Sequence, residues 1–383
     1  KAAELAKMGE VLTNSQIGGR RNIAYNGAMQ ISQRGTSFTG ITSSQYTLDR
    51  VKIFLNGAGT YTVSQSTDVP SGQGFHNSLK VDNTTSDNYG TAGDYVMLRL
   101  NSMEQQDVMK LNYGGSSAEK VTVSFWAKFS YADTWNITLV NHYAQRSNFK
   151  PFTISSANTW QKITLTFDGD TNSGDGFGVS TALGLSIDLW LGAGSSYSGG
   201  SASANTWDER SNNNTSLVPA STDFGSSTDH EMYITGLQLE IGEQATPFEH
   251  RSFGEELALC QRYCVQIVNT HSAGTGHIIL AGMSRGSTNK NFTLPLPVTM
   301  RNTTPSVTLT GDVRLLNPES HDYVNATDTL TCGGVTPTLV YSGNMLVLLY
   351  TGSVTGVTDT GNADYNFQIV AASDHLFIID AEL

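Results

Sequence analysis

Along most of the chain, hydrophobic and polar residues alternate with a period of two. The stretches VTVSFWAKF (121–129), QKITLTF (161–167), LSIDLWL (185–191) and EMYITGLQLEI (231–241) each place several large apolar side chains on one face. Successive side chains of a β-strand point to opposite faces, so this alternation is typical of strands with one buried face. Turn-forming clusters of Gly, Ser, Asn and Asp separate these stretches, and no helical period lies between them. The pattern predicts a jelly-roll β-sandwich over residues 22–250.

Two short segments have helical spacing instead. At the start, Leu5, Met8 and Leu12 follow the 3-then-4 spacing of a coiled-coil seam. Residues 1–21 are therefore predicted to be either the end of an oligomeric stalk with its linker or an isolated terminal helix. Later, Ser252 and Glu255 have the spacing of a capping box, which predicts a helix over 253–266 within a linking segment, 251–266.

The remaining residues, 267–383, are again rich in strand patterns. They predict a second, smaller C-terminal β-sandwich, which makes the whole chain mainly β. The run MLVLLY, Met345 to Tyr350, is apolar at six successive positions. Such a run needs cover on both faces, so we expect it in the core of this domain or at a subunit contact.

Composition excludes several classes of function. Charged residues make up 15% of the chain, and the formal net charge is −12 with no block of Lys or Arg. A nucleic-acid partner is not expected, because phosphate binding needs a concentrated basic face. Membrane insertion is not expected either, since no apolar run approaches the roughly 20 residues that span a bilayer. The chain opens on Lys1 rather than Met, so we expect a fragment of a longer fibre or a trimmed product.

The number and spacing of the cysteines do not indicate a disulfide framework. There are three, and Cys260 and Cys264 lie one helical turn apart. They are either two metal ligands or buried free thiols, and the absence of a nearby His favours thiols.

One serine has the spacing of a catalytic nucleophile. Residues 282–286, GMSRG, match G-x-S-x-G, with Ser284 at the nucleophile position. A nucleophile elbow needs a helix after the serine, and STNKNFTLPLP does not have a helical pattern. A hairpin turn is the better interpretation, and no catalytic residue is predicted.

A possible calcium site follows the strand 161–167. Asp168, Asp170 and Asn172 match the first ligands of an EF-hand loop, but Val179 stands where the bidentate Glu belongs. The residues of DGDTNSGDG are also typical turn formers, so a turn between two strands is enough to explain this pattern without calcium. Calcium is the one cofactor that we consider, and the plain turn is the alternative.

The long loop after the strand 185–191 is the best candidate for a sugar contact. Sugars need aromatic rings for their C–H faces and polar side chains for their hydroxyls. Tyr197 and Trp207 lie in this loop, with Asp208 and Arg210 beside them. The alternative is that the Trp folds back over the edge of the sandwich.

The other aromatic residues indicate less. Trp126 and Trp160 lie within apolar strands and are predicted to pack in the core, whereas Trp190 ends a strand and could face either way. In the second domain, the loops with residues 321–323 and 359–365 are weaker candidates for sugar contacts.

Several stretches resemble bacteriophage tail-fibre and minor tail proteins, especially those of marine phages. RNIAYNGAMQISQRGTSFTG, VPSGQGFHNSLKVDNTTSD and TWQKITLTFDGDT are similar to successive parts of the jelly-roll domain in that family. The string ITGLQLEIGEQATPFEHRSFGEELALCQRYC (234–264) resembles the hinge of these proteins almost position for position. The resemblance covers residues 15–266. It implies a fold similar to carbohydrate-binding modules, a homotrimer and adsorption to host glycans.

These observations predict a non-enzymatic virion protein, the distal receptor-binding part of a tail fibre. Its expected partners are host cell-surface polysaccharide or lipopolysaccharide and other virion tail proteins. One alternative is another virion structural role, as a minor tail or decoration protein. The other is a polysaccharide depolymerase, although no repeat of the β-helix type is visible.

Overall fold

The computed structural model describes residues 20–198, 202–210, 223–269, 277–285, 289–301, 305–310, 314–316, 336–339, 345–351, 366–370 and 375–382. The chain divides into two compact units, Lys1–Glu256 with Leu383, and Leu257–Glu382. Within these described ranges, no helix has both the length and the apolar character needed to cross a membrane. The predicted stalk helix at 1–12 and the candidate loops at 321–323 and 359–365 lie outside the described residues.

The first unit is built from antiparallel strands in two sheets. In chain order, its strands are β1 (Ser37–Ile41), β2 (Gln45–Tyr46), β3 (Lys52–Asn56), β4 (Thr60–Ser66), β5 (Ser78–Thr85), β6 (Tyr95–Glu104), β7 (Val121–Phe129), β8 (Asp133–Asn141), β9 (Arg146–Ile154), β10 (Gln161–Phe167), β11 (Leu183–Ala193), β12 (Asp208–Glu209) and β13 (Glu231–Ile241). The six-stranded sheet has the order β1-β4-β5-β13-β7-β10, and the seven-stranded sheet has the order β12-β9-β8-β11-β6-β3-β2. Because the chain passes repeatedly between the sheets, the connections are those of a jelly-roll sandwich.

One hydrophobic core joins the inner faces of both sheets. On β7, Val121, Val123 and Phe125 are almost completely buried, as the alternation predicts. Phe125 meets Phe152 of the opposite sheet in an edge-to-face contact with 5.4 Å between ring centroids. Each such side chain stabilises the fold by roughly 1.5–3 kcal/mol through its removal from water. The mainly β sandwich that the alternation predicts is therefore present in the first unit.

The prediction that Trp126 and Trp160 pack in the core is wrong. Phe125 and Ala127 point inward on β7, so Trp126 between them points outward and is half-buried on the outer face of the six-stranded sheet. Trp160 is also half-buried, and its indole N–H donates to Oδ1 of Asp68 at 3.0 Å. For Trp126 the reason is strand parity, which overrides the apolar character of a single residue. Trp160 lies just before the start of β10.

The helices are short. Gln105–Val108 forms a single turn, α1, and 3-10 turns span Met109–Leu111 and Phe224–Ser226. The helix α2 covers Phe253–Gln261.

The predicted capping box at the start of α2 is partly present. The backbone N–H of Glu255 donates to Oγ of Ser252 at 3.3 Å. The prediction that the helix continues to 266 is wrong, because Cys264 already begins a strand whose β-branched residues favour the extended conformation. Cys260 and Cys264 are buried and form no disulfide with a described residue, in agreement with the favoured interpretation.

The second unit also contains antiparallel sheets. Its described strands are β14 (Cys264–Asn269), β15 (His277–Arg285), β16 (Asn289–Pro295), β17 (Ser306–Thr310), β18 (Arg314–Leu316), β19 (Thr336–Leu339), β20 (Met345–Thr351), β21 (Asn366–Val370) and β22 (His375–Asp380). They form a sheet of order β14-β22-β17 and a sheet of order β18-β21-β15-β16-β20-β19. The apolar run in β20 pairs with β16 on one side and β19 on the other, so it is an inner strand. Whether both its faces are covered stays a prediction.

Candidate functional site

A cleft lies on the outer face of the seven-stranded sheet of the first unit. Across the β6–β11 pair, Arg99 lies opposite Asp188, and Met97 lies opposite Trp190. These four residues alternate with core residues, so strand parity directs their side chains away from the core. The cleft has a volume of about 310 Å³. Its lining residues are Phe54, Tyr95, Met97, Arg99, Val140, Gln145, Asp188, Trp190, Tyr197 and Arg210.

Aromatic rings form one side of the cleft. The Trp190 ring packs on Met97, and its centroid lies 6.0 Å from both the Tyr95 and the Tyr197 ring. Tyr95 and Tyr197 meet edge-to-face at 4.9 Å. The indole N–H of Trp190 is buried and finds no hydrogen-bond acceptor among the described residues. An unsatisfied buried donor costs about 1–3 kcal/mol.

Two glycines place Tyr197 at the cleft. A Cβ atom on Gly192 would lie 2.3 Å from the Tyr89 ring, and one on Gly194 would lie 2.3 Å from the carbonyl oxygen of Thr91. Only glycine allows this close approach at the end of β11. The backbone N–H of Tyr197 then donates to the carbonyl of Gly194 at 3.0 Å. The resulting turn brings the Tyr197 ring against Tyr95.

A buried ion pair forms the floor beside the rings. Nε of Arg99 donates to Oδ1 of Asp188 at 2.8 Å, and Nη2 donates to Oδ2 at 3.0 Å. The two side chains are only 7% and 3% exposed. Burial opposes the charge of Arg99, but Asp188 outweighs this effect and raises the pKa of Arg99 above its ordinary value. The Arg99 guanidinium also lies 4.8 Å from the centroid of the Phe54 ring, a cation–π contact.

Arg210 lies at the cleft, where its guanidinium group contacts the neutral ring of His142. Its Nη1 lies 3.3 Å from Nδ1 of His142, and Nε2 of His142 lies 2.9 Å from Oγ of Ser186. The backbone N–H of Arg210 donates to the carbonyl of Gln145 at 2.7 Å. Burial, followed by the charges of Arg99 and Arg210, lowers the pKa of His142 to about 2. The imidazole is therefore neutral at physiological pH.

Of the four residues predicted to contact a glycan, Tyr197 and Arg210 line the cleft, whereas Trp207 and Asp208 do not. Trp207 is a core residue, because it is 8% exposed and its indole N–H donates to the carbonyl of Asp168 at 2.7 Å. This position corresponds to the alternative in which the Trp folds back over the sandwich.

The sequence interpretation missed Tyr95, Arg99 and Asp188, and it left Trp190 open. Parity along LSIDLWL was a usable signal, because inward leucines require that Asp188 and Trp190 point outward.

The side chains of the predicted calcium ligands form hydrogen bonds or ion pairs with other residues of the protein. Asp168 receives Nδ2 of Asn205 at 2.6 Å and lies 3.3 Å from Nζ of Lys120. Asp170 is buried and pairs with Nε of Arg146 at 3.1 Å. The side-chain amide of Asn172 donates to Asp175 rather than lying free. No group of three or more His, Cys, Asp or Glu in the described part of the chain is arranged to hold a metal ion. Calcium binding stays a prediction.

A second cavity lies on the outer face of the six-stranded sheet. It has a volume of about 470 Å³, and Trp126 and Lys162, which are paired across β7 and β10, line it. Phe75 and Phe248 meet there at 5.0 Å. This cavity belongs to the opposite sheet from the cleft.

Ser284 does not lie on a nucleophile elbow. It pairs with Lys290 near the end of a β15–β16 hairpin, so a strand follows it where an elbow needs a helix. The hairpin interpretation is confirmed.

No protein-family model and no curated protein matches this chain. Solved structures with similarity include the enzymatically active domain of tailspike protein 4 of bacteriophage CBA120, with 12% identity and a TM-score of 0.29 over 58% of this chain and 21% of that one. A family 11 carbohydrate-binding module of a Clostridium thermocellum cellulase has 11% identity and a TM-score of 0.27, over 54% of this chain and 98% of the module. A xylan-binding domain of Paenibacillus barcinonensis has 11% identity and a TM-score of 0.25, over 55% and 94%. At TM-scores this low, these likenesses carry no argument about function.

Proposed function

We propose that the first unit binds a glycan in the cleft of the seven-stranded sheet. One observation carries this proposal. A cleft of about 310 Å³ places the rings of Trp190, Tyr95 and Tyr197 next to the hydrogen-bonding groups of Asp188 and Arg210. Aromatic faces accept the C–H side of a sugar ring, and nearby carboxylate and guanidinium groups pair with its hydroxyls. A saccharide of a few units fits both the size and the chemistry of this site.

The proposed activity is binding without catalysis. Glycoside hydrolysis needs two carboxyl groups on either side of the scissile bond. Among the described residues that line the cleft, Asp188 is the one carboxylate, and both of its oxygens accept hydrogen bonds from Arg99. A carboxylate held in this way is poorly suited to act as an acid or a nucleophile.

The finer proposal is that the chain is the distal receptor-binding part of a phage tail fibre, attached to host polysaccharide or lipopolysaccharide. It is supported by the resemblance of residues 234–264 to the hinge of tail-fibre proteins. Within the first unit, polar residues of this string form hydrogen bonds with the segment that begins the unit. Glu249 accepts the backbone N–H of Asn22 at 2.6 Å, Arg251 donates to the carbonyl of Asn22, and Glu256 accepts the N–H of Asn26 at 2.5 Å. The string thus has a structural role in closing the sandwich.

Glycan binding is tested with purified protein on an array of bacterial polysaccharides and lipopolysaccharides. We expect Tyr197→Ala and Tyr95→Ala to abolish binding, because each removes part of the aromatic side. Trp160→Ala is the matched control, since it removes an aromatic ring from the opposite sheet. Binding that survives both tyrosine variants would contradict the proposed site.

The virion role is tested separately. Size-exclusion chromatography with light scattering is expected to give a homotrimer, near three times 41.2 kDa. Pre-incubation of host cells with the protein is expected to block phage adsorption. A protein located on the capsid or the tail tube in a virion map would instead support the decoration or minor tail role.

A further inference from the structure

The cleft carries a positive charge that its own residues do not cancel. Arg99 and Asp188 neutralise each other through two hydrogen bonds, which leaves Arg210 as the remaining ionised group of the lining. Among the described residues, no carboxylate forms a salt bridge with Arg210, and the side-chain partner that the structure places on it is His142. The carboxylate whose field acts on Arg210 is Asp188, which is already bonded to Arg99.

His142 holds the guanidinium in place without neutralising it. An arginine side chain has donors and no acceptor, so Nδ1 of His142 must accept from Nη1 of Arg210. The other ring nitrogen, Nε2, then carries the proton and donates to Oγ of Ser186. A neutral imidazole therefore occupies the place where surface arginines commonly have a carboxylate.

Several other cations of the first unit are paired with carboxylates. Examples are Lys80 with Glu231, Lys120 with Glu243, Lys128 with Asp68 and Arg146 with Asp170. The chain as a whole has a net charge of −12. Asp208 and Glu209 directly precede Arg210 in the chain, but among the described residues neither forms a salt bridge with it and neither lines the cleft. Carboxylates farther away than about 8–10 Å are largely screened by salt. An uncompensated guanidinium beside three aromatic rings is thus a local feature of this site.

We propose that the glycan is acidic, and that Arg210 receives the carboxylate or sulfate group of a sugar that packs against Tyr197. This inference rests on the proposed glycan-binding function and specifies its ligand class. The planar guanidinium matches two oxygens of such a group and forms charge-assisted hydrogen bonds with them. Tyr197 and Arg210 line the same cleft, so one sugar residue can contact the ring and the cation together.

The experiment compares neutral, uronic-acid and sulfated oligosaccharides of similar length on one array, followed by calorimetry at two salt concentrations. The proteins are the full chain, Arg210→Gln, Arg210→Lys and the control Lys162→Gln. Lys162 is exposed on the opposite sheet, and its replacement changes the net charge by the same amount. We expect acidic oligosaccharides to bind, Arg210→Gln to weaken binding roughly 10- to 100-fold and Lys162→Gln to leave it unchanged. Arg210→Lys keeps the charge but loses the planar fork, so an intermediate loss is expected.

The outcomes separate this inference from the function on which it rests. Binding of uronic-acid or of sulfated probes alone identifies the anionic group and supports both. Binding of neutral oligosaccharides alone, sensitive to Tyr197→Ala but not to Arg210→Gln, would overturn the acidic ligand and leave glycan binding intact. Acidic probes that bind Arg210→Gln as well as the unmodified chain would also overturn it. If no oligosaccharide binds, the proposed function fails together with the inference.

Discussion

The ion pair between Arg99 and Asp188 allows the construction of the cleft to be tested by stability measurements. Arg99→Met and Asp188→Leu each remove one charge and leave the other in a nearly closed environment. Because the side chains are only 7% and 3% exposed, the remaining charge has little access to water. The double variant Arg99→Met/Asp188→Leu removes both charges and retains most of the apolar volume.

The expected magnitudes follow from this burial and from the hydrogen bonds of 2.8 and 3.0 Å. Removal of one member of a buried pair destabilises a protein by about 3–5 kcal/mol, because an uncompensated charge stays behind. Replacement of both members by apolar residues is commonly neutral or stabilising. Asp188→Leu should therefore lose about 3–5 kcal/mol of the free energy of unfolding. Arg99→Met should lose less, because the charge of Arg210 still acts on the remaining Asp188. The double variant should lose much less than the sum of the two.

Urea unfolding followed by tryptophan fluorescence is the appropriate assay. All five tryptophans lie between Trp126 and Trp207, so the signal reports the first unit alone. The reasoning requires a lower midpoint with an unchanged slope for each single variant. Single variants that lose under about 1 kcal/mol, or a double variant whose loss equals the sum of the two, would refute it.

Three further outcomes are expected. Burial and two guanidinium groups lower the pKa of His142 to about 2. Below about pH 6.5 the unfolded chain therefore binds a proton at this residue that the folded chain does not bind. The free energy of unfolding should consequently fall by about 2 kcal/mol between pH 7 and pH 5. Urea midpoints across this range should show less of this loss in His142→Gln, and an equal loss in both proteins would contradict the assignment. Gly192→Ala places a Cβ atom 2.3 Å from the Tyr89 ring, so the melting temperature should fall in thermal unfolding. The near-UV circular dichroism of Tyr95 and Trp190 should change as well. An unchanged melting temperature would contradict the close packing. Trp207→Ala should cost about 3–5 kcal/mol as a core truncation, measured by urea unfolding, and a loss below 1 kcal/mol would show that Trp207 is not a core residue.

Much of the fold was accessible from local patterns. The alternation in 121–129, 161–167 and 185–191 predicts strands, and the structure has β7, β10 and β11 there. The Ser252 signal likewise marks the beginning of α2, because capping depends on residues within a single turn. The end of this helix was predicted wrongly, because Cys264–Asn269 becomes a strand through its pairing with β22, which lies more than 100 residues away.

Only part of the candidate site could be predicted from the sequence. Tyr197 and Arg210 were identified as loop residues of suitable chemistry, and both line the cleft. Trp207, from the same loop, lies in the core, and no local pattern distinguishes it from Tyr197. Its place is decided by Tyr113 and Asp168, which it contacts across the sandwich.

The sequence by itself determined which residues of each strand face the same way, because the period of two is a property of the extended backbone. Parity alone directs Asp188 and Trp190 away from the leucines between and beside them. Only the tertiary structure decided what those outward residues form. Arg99 meets Asp188 through strand register, and Tyr197 reaches Tyr95 because Gly192 and Gly194 permit close backbone packing. Register and loop packing depend on contacts between distant segments, and a cleft exists only where several such contacts meet.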